Sequence, residues 1–239
     1  MVTQRLRKYI VSILPLQCEI CHLDSKFDHL QVGICCHCRE YFLPKTRCQC
    51  CGLVTSCDAE QCGHCLNSPP SWQRLYCVGD YHRPISTFIH RLKFHGEFWQ
   101  AKKLAHMLAP RIESPARQLT YVPLHWQRYM TRGYNQSELL AKSLGQILDI
   151  PCFPFFRRVR KTLPQLGLNS NQRKANLNQA FILRQARLSN HVAIVDDVLT
   201  TGSTVDGLCY LLRNAGVEKV DIYCICRTAN VALRGDRIK

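Results

Sequence analysis

The residues best equipped for chemistry lie in one stretch, His191-Val192-Ala193-Ile194-Val195-Asp196-Asp197-Val198-Leu199-Thr200-Thr201-Gly202-Ser203-Thr204. Its opening apolar run has no alternation, which suits a strand buried on both faces of a parallel sheet. Asp196 and Asp197 end that run, where they can accept hydrogen bonds from a sugar diol or hold a divalent metal. Thr200, Thr201, Gly202, Ser203 and Thr204 follow as a hydroxyl-and-glycine turn that opens a helix. Unpaired N–H groups and the positive end of the helix dipole draw phosphate to such a turn. Gly202 lets the backbone approach an anion closely. A phosphate cradle beside a diol acceptor describes a ribose 5-phosphate site, with Asp196 and Asp197 as its candidate catalytic pair.

A second constellation sits near the other end. Eleven of the sixteen cysteines fall between Cys18 and Cys65. Four CxxC pairs, Cys18/Cys21, Cys35/Cys38, Cys48/Cys51 and Cys62/Cys65, supply eight thiolates, and four complete one tetrahedral Zn2+ site. Two structural zinc sites in a double zinc ribbon are therefore expected. The equal loops Cys21 to Cys35 and Cys51 to Cys65 form an internal repeat that suits sequential pairing, while a cross-brace in which the first pair shares metal with the third stays open. Cys36, Cys50 and Cys57 are surplus to both. His22, His37 and His64 flank thiolates and are expected at the surface or as donors to sulfur. Gly52 and Gly63 stand where a knuckle needs a tight turn. Such cysteine density without an export signal points to metal before disulfides, and to the cytoplasm. A core of roughly fifty residues is too small to stand without metal. Docking to nucleic acid or protein is a further role open to the ribbons.

Arginines and aromatics interleave in Leu124-His125-Trp126-Gln127-Arg128-Tyr129-Met130-Thr131-Arg132-Gly133-Tyr134-Asn135-Gln136. Arg128 and Arg132 can chelate phosphate oxygens with planar forks. Trp126, Tyr129 and Tyr134 offer rings that stack single-stranded bases, although each alone would serve a core as well. The most basic run, Phe156 to Gln165, contains Arg157, Arg158 and Lys161. A cationic segment of this kind suits a lid or a nucleic-acid clamp. The formal charge of +15 also asks for an anionic partner, nucleic acid before phosphorylated small molecules.

The elements that must position these groups alternate between strand and helix, as in an α/β fold. Leu75 to Tyr81, Leu119 to Pro123 and Val220 to Cys226 read as strands. Ile85, Phe88, Ile89 and Leu92 repeat at helical spacing, as do Leu104, Ala105 and Leu108. Ser137 to Leu148 forms a further helix with Leu139, Leu140, Leu144, Ile147 and Leu148 on its apolar face. Leu208, Leu211 and Leu212 mark a helix that ends at Gly216. Cys224 and Cys226 are expected in the core. Asn67-Ser68-Pro69-Pro70-Ser71 is a linker by composition. It divides residues 1–68, an N-terminal helix and the ribbons, from residues 69–239, the α/β domain. Met1 to Pro15 is basic, then briefly apolar, with no small-residue cleavage site, so a docking helix is expected rather than a signal peptide. No run of eighteen apolar residues exists, and no transmembrane segment is expected.

Val195 to Thr204 resembles the phosphoribosyl pyrophosphate loop of type I phosphoribosyltransferases. Nearly the whole chain is similar to the ComF/GntX family. That wider resemblance is carried by Arg91 to Gly96, Val122 to Gln136, Thr162, Pro164 and Gln165, and by Arg173, Asn176, Ala180 and Phe181. It implies a type I phosphoribosyltransferase-like parallel sheet flanked by helices, behind a small N-terminal double zinc ribbon. It implies phosphoribosyl pyrophosphate with Mg2+ as ligand, the pyrophosphate on His125, Arg128 and Arg132. Arg157, Arg158, Lys161 and Arg173 would belong to a hood that closes over that donor or grips nucleic acid. Lys93 and His95 would either contact the ligand or stay solvated. Members are linked to DNA uptake and to use of DNA as a nutrient, implying single-stranded DNA and an uptake-machinery protein as partners. A catalytically active phosphoribosyltransferase of unknown acceptor is the alternative. Purine-salvage enzymes often carry an acidic base where this chain has Thr200, so the resemblance leaves catalysis open.

Overall fold

The computed structural model describes residues 17–24, 33–159, 180–184 and 187–228. The expected helix over Met1 to Pro15 lies outside the described residues, as do Lys161 and Arg173. By contact, the chain forms two compact units, Met1–Pro44 and Lys45–Lys239.

In the first unit a one-turn helix, α1 (Cys36–Arg39), starts at Cys35, whose sulfur accepts a hydrogen bond from the Cys38 N–H at 3.4 Å. The second unit opens with a knuckle that leads into helix α2 (Gly63–Asn67) and then the sheet strand β1 (Arg74–Asp80). Composition places the division after Ser68; contact places it at Pro44. The reason is packing: the Leu75 N–H donates to the Gln49 carbonyl at 2.8 Å. Arg47 also forks onto both carboxylate oxygens of Asp80, at 2.7 and 3.0 Å. The second cysteine cluster thus folds as part of the sheet unit.

Helices α3 (Ile85–Phe94) and α4 (Gln100–Leu108) follow β1. Their expected apolar stripes, Ile85, Phe88, Ile89 and Leu92, then Leu104, Ala105 and Leu108, are all buried. Next come β2 (Gln118–Tyr121), a short helix α5 (Trp126–Arg132) and a long one, α6 (Gln136–Leu148). Strands β3 (Phe156–Arg158) and β4 (Phe181–Leu183) pair antiparallel as a separate ribbon. The chain then returns through β5 (His191–Leu199), α7 (Ser203–Asn214) and β6 (Lys219–Arg227).

The main sheet has the order β1-β6-β5-β2 with every pair parallel. Central strands in such a sheet are covered on both faces, and Val192 to Val195 are fully buried. One face packs on Val205, Leu208, Cys209 and Leu212 of α7, together with Phe156 and Phe181 of the ribbon. Helices α4 and α6 pack against the sheet as well, with α6 on β5 and β2. Because all four strands run the same way, their carboxyl ends share one edge. In open parallel sheets that edge is where ligands bind, and it holds Asp196, Asp197, the turn after β5 and the loop after β2. Cys224 and Cys226 are buried in β6 as expected.

Helix α5 stands in the segment of interleaved arginines and aromatics, to which the sequence assigns no element. It has no buried residue, so no apolar period announces it. Its ends are fixed locally instead: His125 caps the start with its side chain, and Gly133 closes it at φ +81°.

Candidate functional site

The two carboxylates at the end of β5 occupy different environments. Asp196 Oδ1 accepts a hydrogen bond from Ser137 Oγ at 2.9 Å and another from the Asp197 N–H at 2.9 Å. Burial, then the neighbouring charge of Asp197, push the Asp196 carboxyl up to about 7 against those two donors. Asp197 is 4% exposed, accepts from the Val198 N–H, and faces Lys93, whose Nζ stands 2.5 Å from Oδ2. That contact lacks the alignment of a hydrogen bond and acts as an ion pair of charges. Lys93 comes from the last turn of α3, so of the two side chains weighed there it is the one at the site; His95 is exposed. Ser137 has no place among the expected site residues. The available signal was its register: it shares the buried stripe of Leu140, Ala141 and Leu144, and a hydroxyl on such a stripe needs a polar partner.

The turn after β5 is built as its residue types require. Gly202 sits at φ +78° immediately before α7, and the Thr201 and Ser203 hydroxyls are 2.8 Å apart. Thr200 to Thr204, with Asp196, line one cavity of about 260 Å³. A Cβ on Gly202 would come within 2.8 Å of the Trp72 ring. Trp72 is itself buried, and its indole N–H donates to the Cys50 carbonyl at 2.8 Å. The Ser71 N–H reaches Asp206 on the first turn of α7 at 3.2 Å. Trp72, the residue after the Asn67–Ser71 stretch that reads as a linker, is thus a support for the turn. Gly202→Ala should lower thermal stability, with roughly 1–2 kcal/mol from the left-handed backbone alone, and should remove phosphate binding. A melting curve and a phosphate-ester titration both matching wild type would refute this.

The basic residues divide into two groups. His125 is buried and accepts the Gln127 N–H at its Nδ1, 3.3 Å away. Arg132 donates to Gln136 Oε1 and lies over the Phe94 ring at 5.4 Å. Burial lowers the Arg132 pKa, the Asp197 charge opposes that shift, and Arg128 adds to it. Arg128 is exposed. Arg158 lies over Phe181 at 5.4 Å, and its pKa falls through burial and then through the like charge of Arg128. Arg157 and Arg158 line a second cavity, beside the ribbon. The three aromatics also part ways. Tyr134 donates its hydroxyl to the Leu92 carbonyl and so ties the loop to α3, while Trp126 and Tyr129 stay exposed.

The cysteines form two sets, Cys18, Cys21, Cys35 and Cys38, and Cys48, Cys51, Cys62 and Cys65, the sulfurs of each within 4.8 Å of one another. Pairing is therefore sequential, not cross-braced. Sulfur separations of 3.8 Å (Cys21 to Cys35), 3.7 Å (Cys51 to Cys62) and 3.9 Å (Cys48 to Cys65) exclude disulfides. They match a tetrahedral site, where metal–sulfur bonds of about 2.3 Å put sulfurs about 3.8 Å apart. Burial opposes the Cys18 thiolate, yet N–H groups of Cys21, Cys35 and Ile20 outweigh it and lower its pKa to about 6. No histidine belongs to either set among the described residues. Cys36 and Cys57 are exposed, and Cys50 is buried beside its set. Gly52 is required, at φ +71° with a Cβ that would meet Leu75 at 2.5 Å, whereas Gly63 faces open space. Arg227 is 6% exposed, with Nε and Nη1 lacking a partner among the described residues. Burial raises the Cys51 thiol and the Arg227 charge pulls it down. Were this set to hold a divalent ion, that guanidinium would offset part of the net negative charge of the four thiolates.

A parallel sheet carrying an acid pair at a strand's end, then a hydroxyl-glycine turn into a helix, defines a phosphoribosyltransferase-like protein. The family described as phosphoribosyl transferase domain matches residues 135–237. The chain belongs to the ComF family of competence and DNA-utilization proteins. It is 37% identical over 218 residues to competence protein F of Haemophilus influenzae, covering 86% of this chain and 95% of that one. It is 37% identical over 225 residues to DNA utilization protein YhgH of Escherichia coli, covering 90% and 98%. With competence protein ComFC of Streptococcus pneumoniae the identity is 28% over 198 residues, covering 73% and 87%. Among the described residues no helix is long and apolar enough to cross a membrane.

Proposed function

We propose that this protein binds a phosphoribosyl pyrophosphate-type ligand and single-stranded DNA, and works in DNA uptake or in the use of DNA as a nutrient. The observation that carries the first half is one cavity lined by both Asp196 and the whole turn Thr200 to Thr204. The amides and hydroxyls of that turn would take the 5-phosphate. Asp196 and Asp197 would accept the ribose hydroxyls, Asp197 exchanging Lys93 for sugar. Arg128 and Arg132 would meet the pyrophosphate, with His125 holding the start of their helix in place. Mg2+, arriving with the pyrophosphate, would neutralise its charge. The relatives' names bring competence and DNA utilization to this chain as its field of work, with an uptake-machinery protein as partner. Zn2+ in both cysteine sets and a cytoplasmic site of action complete the proposal, since a reducing compartment keeps thiols free for metal.

The test is a calorimetric titration of phosphoribosyl pyrophosphate with Mg2+ into wild type and Asp196→Asn/Asp197→Asn. Losing charged hydrogen bonds at both positions should weaken binding at least about a hundredfold, with zinc content and melting cooperativity preserved. Equal affinity in both proteins would sink the assignment. Following pyrophosphate release with and without single-stranded DNA decides whether transfer chemistry accompanies binding. Raising salt should weaken DNA binding steeply and the sugar ligand far less.

A further inference from the structure

Helix α5 poses a physical problem. It buries none of its side chains, yet presents Trp126 at 64%, Tyr129 at 47% and Met130 at 75% exposure. A helix with large apolar groups and no core of its own is a surface awaiting a partner. These three residues line a cavity of about 330 Å³ that shares no lining residue with the one at the phosphate turn. Arg157, Arg158 and Arg184 of the β3–β4 ribbon line the same cavity. Arg157 and Arg184 are exposed and form no ion pair among the described residues. The one carboxylate in the lining, Glu138, is already paired with Lys142 at 2.7 Å. Stackable rings therefore share with an excess of guanidinium a space at the small end of ligand pockets.

We propose that this cavity takes an unstacked base of single-stranded nucleic acid, its ring against Trp126 and Tyr129 and its flanking phosphates on Arg157 and Arg184. Apolar rings alone would fit a protein partner, and arginines alone would fit any polyanion. A strand of bases joined by phosphates satisfies both, with rings for its bases and guanidinium groups for its phosphates in one cavity. The charge of +15 would bring such a strand in, and the rings would hold it. The inference rests on the nucleic-acid half of the proposed function and is independent of the phosphoribosyl half.

Fluorescence anisotropy with the full-length protein tests it, using a short labelled single-stranded oligonucleotide and an abasic strand of equal length. Trp126→Ala/Tyr129→Ala should weaken the normal strand at least about tenfold, leave the abasic strand unchanged, and preserve zinc content. Trp126→Phe should retain nearly full affinity. Arg157→Ala/Arg184→Ala should instead weaken both strands and reduce the salt slope by about 1.4, the value for two phosphate contacts on a single strand. Wild-type affinity of the aromatic double variant for the normal strand would overturn the proposal. Equal weakening for both strands would overturn it too, because the rings would then not be reading bases. Asp196→Asn/Asp197→Asn should bind both strands normally, so loss of sugar-ligand binding and loss of this base site are told apart.

Discussion

Keeping metal out of the set of Cys48, Cys51, Cys62 and Cys65 is expected to weaken ligand binding at the turn Thr200 to Thr204 at least about tenfold. The route runs through a few bonds. Around this set, Gln49 and Cys50 donate their N–H groups to the carbonyls of Ala59 and Glu60, at 3.0 and 3.1 Å. Their own carbonyls then receive the Leu75 N–H and the Trp72 indole, each at 2.8 Å. The Trp72 ring lies against Gly202, the residue whose left-handed backbone starts α7. A loop this short cannot hold its shape without metal, so apo protein should release the start of β1 and the indole together. Truncating a buried Trp to Ala costs about 3–5 kcal/mol in typical cores, so a Trp72 ring freed from its seat takes a substantial part of the packing under Gly202 with it. Cys62→Ser/Cys65→Ser should therefore lose one metal equivalent, melt earlier and bind phosphoribosyl pyrophosphate at least about tenfold more weakly, on the scale of 1.4 kcal/mol per decade. Trp72→Phe keeps a ring under Gly202 while removing the indole donor, and should produce a smaller loss with full metal content. Metal-free protein that binds the ligand as wild type does would break this chain of contacts.

What could be read from residues alone was what is local in sequence. The apolar run, acid pair and turn of β5 lie within fourteen consecutive residues, His191 to Thr204, and the parallel fold around them follows from strand and helix periods. The CxxC pairs are equally local, but their partition into metal sites is not. Sequential and crossed pairings satisfy the same spacing, and only the fold brings Cys48 to Cys65. The boundary near Ser68 followed a Pro-Ser cluster, whereas Arg47, Gln49 and Cys50 are bonded to residues beyond it. Helix α5 escaped because amphipathic periods exist only where a helix faces a core. Trp126, Tyr129 and Tyr134 look alike in the sequence, and their separation into exposed and structural rings depends on Leu92, which lies far away in sequence. Ser137 and Lys93 belong to the acid pair for the same long-range reason.

Asp196→Asn should stabilise the protein, and more so the higher the pH. Burial and the charge of Asp197 hold the folded Asp196 carboxyl near 7, against about 3.9 for an unfolded Asp. Between those values the native state binds more protons than the unfolded one, so stability falls as pH rises. Below about pH 4 both states are protonated, and the wild type and the amide variant should melt alike. Through the window the deficit of the wild type grows by about 1.4 kcal/mol per pH unit, and above pH 7 it levels off because both states are ionised. The gain from Asp196→Asn should thus vanish in acid and reach a few kcal/mol in mild alkali, a large part of a typical domain's stability. Melting curves of both proteins from pH 4 to pH 8 measure it directly. Parallel curves, with the variant offset by a constant amount, would mean that Asp196 titrates normally. A carboxylate kept at such expense, with Ser137 aimed at it, is what a site retained for binding rather than for stability looks like. The same substitution should then trade sugar-ligand affinity for a higher melting point, and a variant that gained stability without losing affinity would leave Asp196 with no part in the site.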